Sequence, residues 1–181
     1  MKKSVIGIVE TRDQAEQIVA DLQAHGIPTG QISVLLPDKQ GTKDFAHEHN
    51  TKAPEGAIAG VGVGGVLGGT LGLLAGIGAL AIPGVGPLIA AGPLMAALSG
   101  AAAGAAVGGV TGALVGLGIP EIEAKTYEGK IRGGNLLIAV HTEDREHLAR
   151  AKASLEKFKA HDIVVTGDSA VPHDSHRSTG A

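Results

Sequence analysis

Two stretches of the chain repeat one order of apolar runs and helical stripes. Val5 to Val9 is a β-branched run and predicts a strand. Thr11-Arg-Asp-Gln14 follows with the spacing of a capping box. Ala15, Ile18, Val19 and Leu22 then recur at i, i+3, i+4 and i+7, which predicts a helix stopped by Gly26, before a second strand over Ile32 to Leu36. In the later stretch a strand is expected over Leu136 to Val140. A helix capped at Thr142 follows, with Glu143 and Asp144 in its first turn and the stripe Leu148, Ala151, Leu155 and Phe158, then a strand over Ile163 to Val165. Two β-α-β units with right-handed crossovers combine into a four-stranded sheet carrying both helices on one face, the ferredoxin-like arrangement. A shorter helix is expected from Pro120 to Gly133-Gly134. Its face is Ala124, Tyr127 and Ile131, Glu121–Lys125 and Glu128–Arg132 are favourable pairs, and it should lie on a surface or interface.

Between these halves the pattern changes. From Gly56 to Pro120 there is no Asp, Glu, Lys, Arg or His, and glycine recurs every fourth residue in two registers. One register is Gly56, Gly60, Gly64, Gly68, Gly72 and Gly76, and the other is Gly100, Gly104, Gly108, Gly112 and Gly116. On a helix such spacing clears one side and lets a neighbouring backbone approach, so these eleven glycines are the candidate helix-packing site. Pro83, Gly84, Gly86, Pro87 and Pro93 break the run, which predicts a helical hairpin with arms Ala57 to Ile82 and Leu94 to Ile119. The fold class expected is α+β, a ferredoxin-like sandwich of two β-α-β units interrupted by a glycine-zipper hairpin. Its parts are a first half over 1–37, a polar linker over 38–55, the hairpin over 56–119, a connecting helix and second half over 120–168, and a disordered tail over 169–181.

Each expected arm is 26 residues long, or roughly 39 Å as a helix against a hydrocarbon core of about 30 Å. Nine glycines in the first arm, each costing about 1 kcal/mol against alanine, make it a poor helix in water. Lipid forces backbone groups to bond internally, so a membrane hairpin is the leading expectation. Lys43, Lys52, Lys125, Lys130 and Arg132 near its ends place both flanks on the cytoplasmic side. The Met1-Lys-Lys start has no apolar run of signal-peptide length. The missing Trp or Tyr belt favours the alternative, a cytoplasmic location with the helices buried in a soluble homo-oligomer or against the flanking domain.

Composition narrows the chemistry. There are 29 glycines, three aromatic residues and no cysteine, which excludes disulfide scaffolds and zinc fingers. A net charge of -3 gives no basic surplus, so nucleic acid is not an expected partner. Gly60-Val-Gly-Val-Gly-Gly65 matches a dinucleotide fingerprint only formally, because it lies outside a β-α-β turn. His47-Glu48-His49 and His173-Asp174-Ser175-His176 stand in polar segments where solvated histidine is the rule, so no metal or cofactor is expected. Ser4, Ser33, Ser99, Ser154, Ser169, Ser175 and Ser178 are scattered with no histidine and acid at suggestive spacing, and no catalytic residue is assigned. His25 and His161 are expected at corresponding helix ends, where a cation suits the dipole.

Val5-Ile-Gly-Ile-Val9, Ile32-Ser-Val-Leu-Leu-Pro37, the Gly76 to Pro93 stretch and Gly116-Leu-Gly-Ile-Pro-Glu121 leading to Tyr127 resemble the bacterial heat-induced general stress proteins of the 17M-like type. The resemblance covers most of residues 4 to 166. It implies a stress-associated bacterial protein and brings no catalytic residues. The function expected is therefore non-enzymatic: membrane association and self-association through the hairpin, with a ferredoxin-like domain that senses or contacts a protein partner or small ligand. The alternative is a soluble homo-oligomeric ligand-binding module.

Overall fold

The two expected strand–helix–strand stretches form where their patterns put them. The structure is a computed structural model that describes residues 3–38, 71, 74, 77–82, 85–103 and 109–167. In the first stretch β1 (Lys3–Val9) leads to α1 (Arg12–Ala24), a 3-10 turn (Thr29–Gln31) and β2 (Ile32–Pro37). Thr11 caps α1 by accepting the Gln14 N–H at 3.2 Å, and the Gln14 Oε1 accepts the Glu10 N–H at 3.2 Å, so the capping box is formed. In the second stretch β5 (Leu136–Thr142) leads to α5 (Arg145–Lys157) and β6 (His161–Thr166). The cap of α5 is Asp144 rather than Thr142; Thr142 instead accepts the Asp144 N–H. His161 opens β6 and caps no helix.

Among the described residues the fold is mixed α and β, with one six-stranded antiparallel sheet and five α-helices. The strand order is β3-β4-β2-β5-β1-β6, so β5 lies between β1 and β2. Its partners are set residue by residue: Val140 faces Val5 on one side and Ile32 on the other. The remaining strands are β3 (Gly78–Ile82) and β4 (Gly86–Ala91), a hairpin added to the edge of β2. Helices α2 (Pro93–Ala103), α3 (Gly109–Gly116) and α4 (Glu121–Arg132) complete the set.

The sheet is buried on both faces. Val5, Val9, Ile32, Ile138 and Val140 pack with Ile18, Leu22 and Leu155 of α1 and α5. Ile6, Ile8, Leu35 and Leu137 pack on the opposite face with Leu94, Leu98, Leu114 and Tyr127 of α2, α3 and α4. Continuous apolar strand runs follow directly, because neither side meets water. Gln14 Nε2 donates to the carbonyls of Phe158 (2.6 Å) and Lys159 (3.1 Å), and Lys157 Nζ reaches Asp21 at 2.8 Å, which locks α1 to α5. Burial works to raise the Asp21 carboxyl, but the Lys157 hydrogen bond and the charges of Lys157 and His25 outweigh it and hold it below its ordinary range.

The neutral middle departs from the two-armed hairpin. Gly78–Ile82, expected at the end of the first helical arm, is a strand. Pro83 stops a helix there, whereas the open edge of β2, paired with β4, offers backbone partners to a short run. The second arm is not one helix either: α2 ends at Ala103, and α3 starts at Gly109 with φ +77, a left-handed conformation no helix interior holds. No helix among the described residues is long and apolar enough to cross a membrane. The connecting helix α4 does form, beside α3 and the sheet. Its pairs Glu121–Lys125 (2.7 Å) and Glu128–Arg132 (2.9 Å) are in place.

Candidate functional site

Of the eleven register glycines, Gly56, Gly60, Gly64, Gly68, Gly72, Gly76, Gly104 and Gly108 lie outside the described residues. Gly100 lies in α2, and Gly112 and Gly116 lie in α3. At Gly116 no described atom stands within 4 Å of where a Cβ would be. The glycine that does make a close approach is Gly92, outside both registers. With φ +73 it joins β4 to α2, and a Cβ there would lie 2.1 Å from the Ile32 carbonyl oxygen. This contact seats the start of α2 against β2.

The polar site that the fold assembles lies at the end of β5. His141 stands opposite Ser4 of β1, and its Nδ1 is 2.7 Å from the Ser4 hydroxyl. Its Nε2 is 2.9 Å from the Ser33 hydroxyl of β2, which in turn accepts the Leu94 N–H of α2 at 3.0 Å. One imidazole thus ties three strands and a helix start together. Ser33 is fully buried and Ser4 is 4% exposed, so neither hydroxyl is presented to a substrate. The chemistry this arrangement supports is positional: it fixes the ring at the floor of a cleft.

That cleft has a volume of about 570 Å³ and opens between the starts of α2 and α5. Gly30 and Gln31 of the 3-10 turn, Pro93, His141 and Thr142, Glu143 and Asp144 of the β5–α5 turn, and His147 line it. Asp144 Oδ1 accepts the Glu146 N–H at 2.7 Å, so the start of α5 is already capped. Gln31 Oε1 and His147 Nδ1 are buried atoms without a hydrogen-bond partner among the described residues. No group of three or more His, Asp or Glu residues is placed to hold a metal ion among the described residues.

Pairwise spacing could not reveal this site. Ser4 and Ser33 lie 137 and 108 residues from His141, and only the pairing of β5 with both β1 and β2 brings them together. The usable signal was a serine in each of two strands beside a histidine ending a third. The fold and cleft define a mixed α/β chain with a polar recess at one end of its sheet. Set against protein-family models, curated proteins and solved structures, the chain matches none of them.

Proposed function

We propose that the chain is a non-enzymatic, stress-associated bacterial binding module. In this reading the β6-β1-β5-β2 part of the sheet, with α1 and α5 on one face, is a ferredoxin-like core, and the strand-end cleft receives a small ligand. The observation that carries it is the use made of the neutral block. Leu88, Ala90, Leu94, Leu98, Val110 and Leu114 all belong to the core on the second face of the sheet. Apolar composition between 86 and 116 is thereby accounted for by protein packing. A net charge of -3 supports leaving nucleic acid out of its partners.

Gly30 supplies the test. It lines the cleft, and a Cβ there meets nothing described within 4 Å, so Gly30→Leu fills the recess without crowding the fold. Small polar metabolites that raise the melting temperature of the wild type, and not of Gly30→Leu, support the binding reading. A panel that stabilises neither chain counts against it.

Membrane association and self-association keep one supporting observation of their own: residues 56–77 are free of charge and carry glycine at every fourth position. That length is about what spans a hydrocarbon core. Retention in membranes through an alkaline carbonate wash favours anchoring, with the domain on the cytoplasmic side. Full release, with a discrete homo-oligomer after purification without detergent, favours the cytoplasmic assembly.

A further inference from the structure

The cleft beside His141 is lined mainly by groups that accept hydrogen bonds or carry negative charge. Glu143 and Asp144 stand at its exposed rim, and no lysine or arginine contributes to its wall. Two buried atoms distinguish it from an ordinary acidic edge: Gln31 Oε1 and His147 Nδ1, each without a partner among the described residues. An amide oxygen can only accept, and an imidazole protonated on Nε2 presents Nδ1 as an acceptor as well. Leaving such atoms unpaired away from water is unfavourable, so a ligand that donates to them is selected over one that does not. The His141 ring cannot turn to serve them, because both its nitrogens face serine hydroxyls.

We propose that this cleft binds a small organic cation, an amine or guanidinium, whose N–H donors meet Gln31 Oε1 and His147 Nδ1 while Glu143 and Asp144 face its charge. The inference rests on the reading of the chain as a binding module and names the ligand class for the same recess. A protonated amine supplies several donors and no acceptor, and a guanidinium supplies five donors in a plane. Attraction to the rim carboxylates weakens with added salt, whereas the two buried contacts are screened less.

The test uses putrescine as probe on the full chain, with butanediol as its neutral counterpart of equal length and succinate as its anionic one. Amide and side-chain shifts are followed by NMR in wild type, Gly30→Leu and Glu143→Gln. The expected result is that putrescine moves the resonances of Gln31 and His147, Gly30→Leu abolishes the effect, and Glu143→Gln weakens binding a few-fold at low salt and less at high salt. Butanediol or succinate moving the same resonances as strongly as putrescine would overturn the cation assignment while leaving a ligand site in place. Shifts from putrescine that persist undiminished in Gly30→Leu place the cation elsewhere and also overturn it, as does the absence of any shift with all three probes. The metabolite panel against Gly30→Leu reports separately on whether the recess binds anything at all.

Discussion

At single positions, backbone geometry separates glycines that the fold requires from those it merely tolerates. Gly92 combines φ +73 with a carbonyl oxygen 2.1 Å from any added Cβ, so Gly92→Ala must both adopt a left-handed conformation and push β2 away from α2. The first effect alone costs about 1–2 kcal/mol. A drop in the urea midpoint larger than that is expected, while Gly30→Ala, with open space around it, should change the same midpoint by no more than about 0.5 kcal/mol equivalent. Equal midpoints for the two variants would refute the role given to Gly92. Lys159 presents the converse case. It holds φ +58 just after α5, where its N–H reaches the Glu156 carbonyl at 3.0 Å. Lys159→Gly relieves that conformation at a helix end that favours glycine, and a gain of up to about 1 kcal/mol in chemical denaturation is expected.

At the level of elements, local signals were legible and non-local ones were not. The α1 stripe, its capping box and the α4 pairs depend on residues within one or two turns, and each was readable before any topology was known. The β3–β4 hairpin was missed because its cause lies elsewhere, on the edge of β2, while glycine at every fourth position within an apolar run mimics a helix-packing face. The cleft was hidden for the same reason, since Ser4, Ser33 and His141 meet only through strand order. Glu128 shows how a legible residue gains a second task from its surroundings. Besides pairing with Arg132, its Oε2 accepts the Thr111 N–H at 2.8 Å and the Thr111 hydroxyl at 2.6 Å, so a carboxylate from α4 holds the first turn of the uncharged α3. Glu128→Ala should cost about 1–3 kcal/mol and speed amide exchange across α3. Glu121→Ala removes an exposed pair and should cost under about 0.5 kcal/mol. Unchanged α3 exchange in Glu128→Ala would show that the cap does not support the helix.

Across the whole molecule, two helix layers enclose one sheet, and Tyr127 joins the second layer to the sheet's far edge. The side chain is 1% exposed, and its hydroxyl donates to the Asp162 carbonyl of β6 at 2.7 Å, while the Asp162 carboxylate takes Lys130 at 2.6 Å. Asp162 itself holds φ +50, in a strand whose pairing with β1 shifts between Ile6 and Ile8, so the clamp fixes an irregular edge. Burial, and then the Asp162 and Glu123 carboxylates, push the phenol well above its ordinary range. The linkage follows from that direction. Below the unfolded value of about 10 the phenol is neutral in both states, and its contribution to stability is complete. Above it the unfolded chain loses the proton and the folded chain keeps it, so stability falls by up to about 1.4 kcal/mol per pH unit from this group. Tyr127 is the single tyrosine, so tyrosinate absorbance reports this ionisation alone. Absorbance and loss of helical circular dichroism should rise together on the alkaline side. Tyr127→Phe should lose about 1 kcal/mol at neutral pH, the value of one hydrogen bond, yet decline less steeply above pH ~10. A phenol that titrates near its ordinary value with the circular dichroism intact would mean that the second layer opens to water at Tyr127 without unfolding. The apolar block would then not be held closed against the sheet at that point.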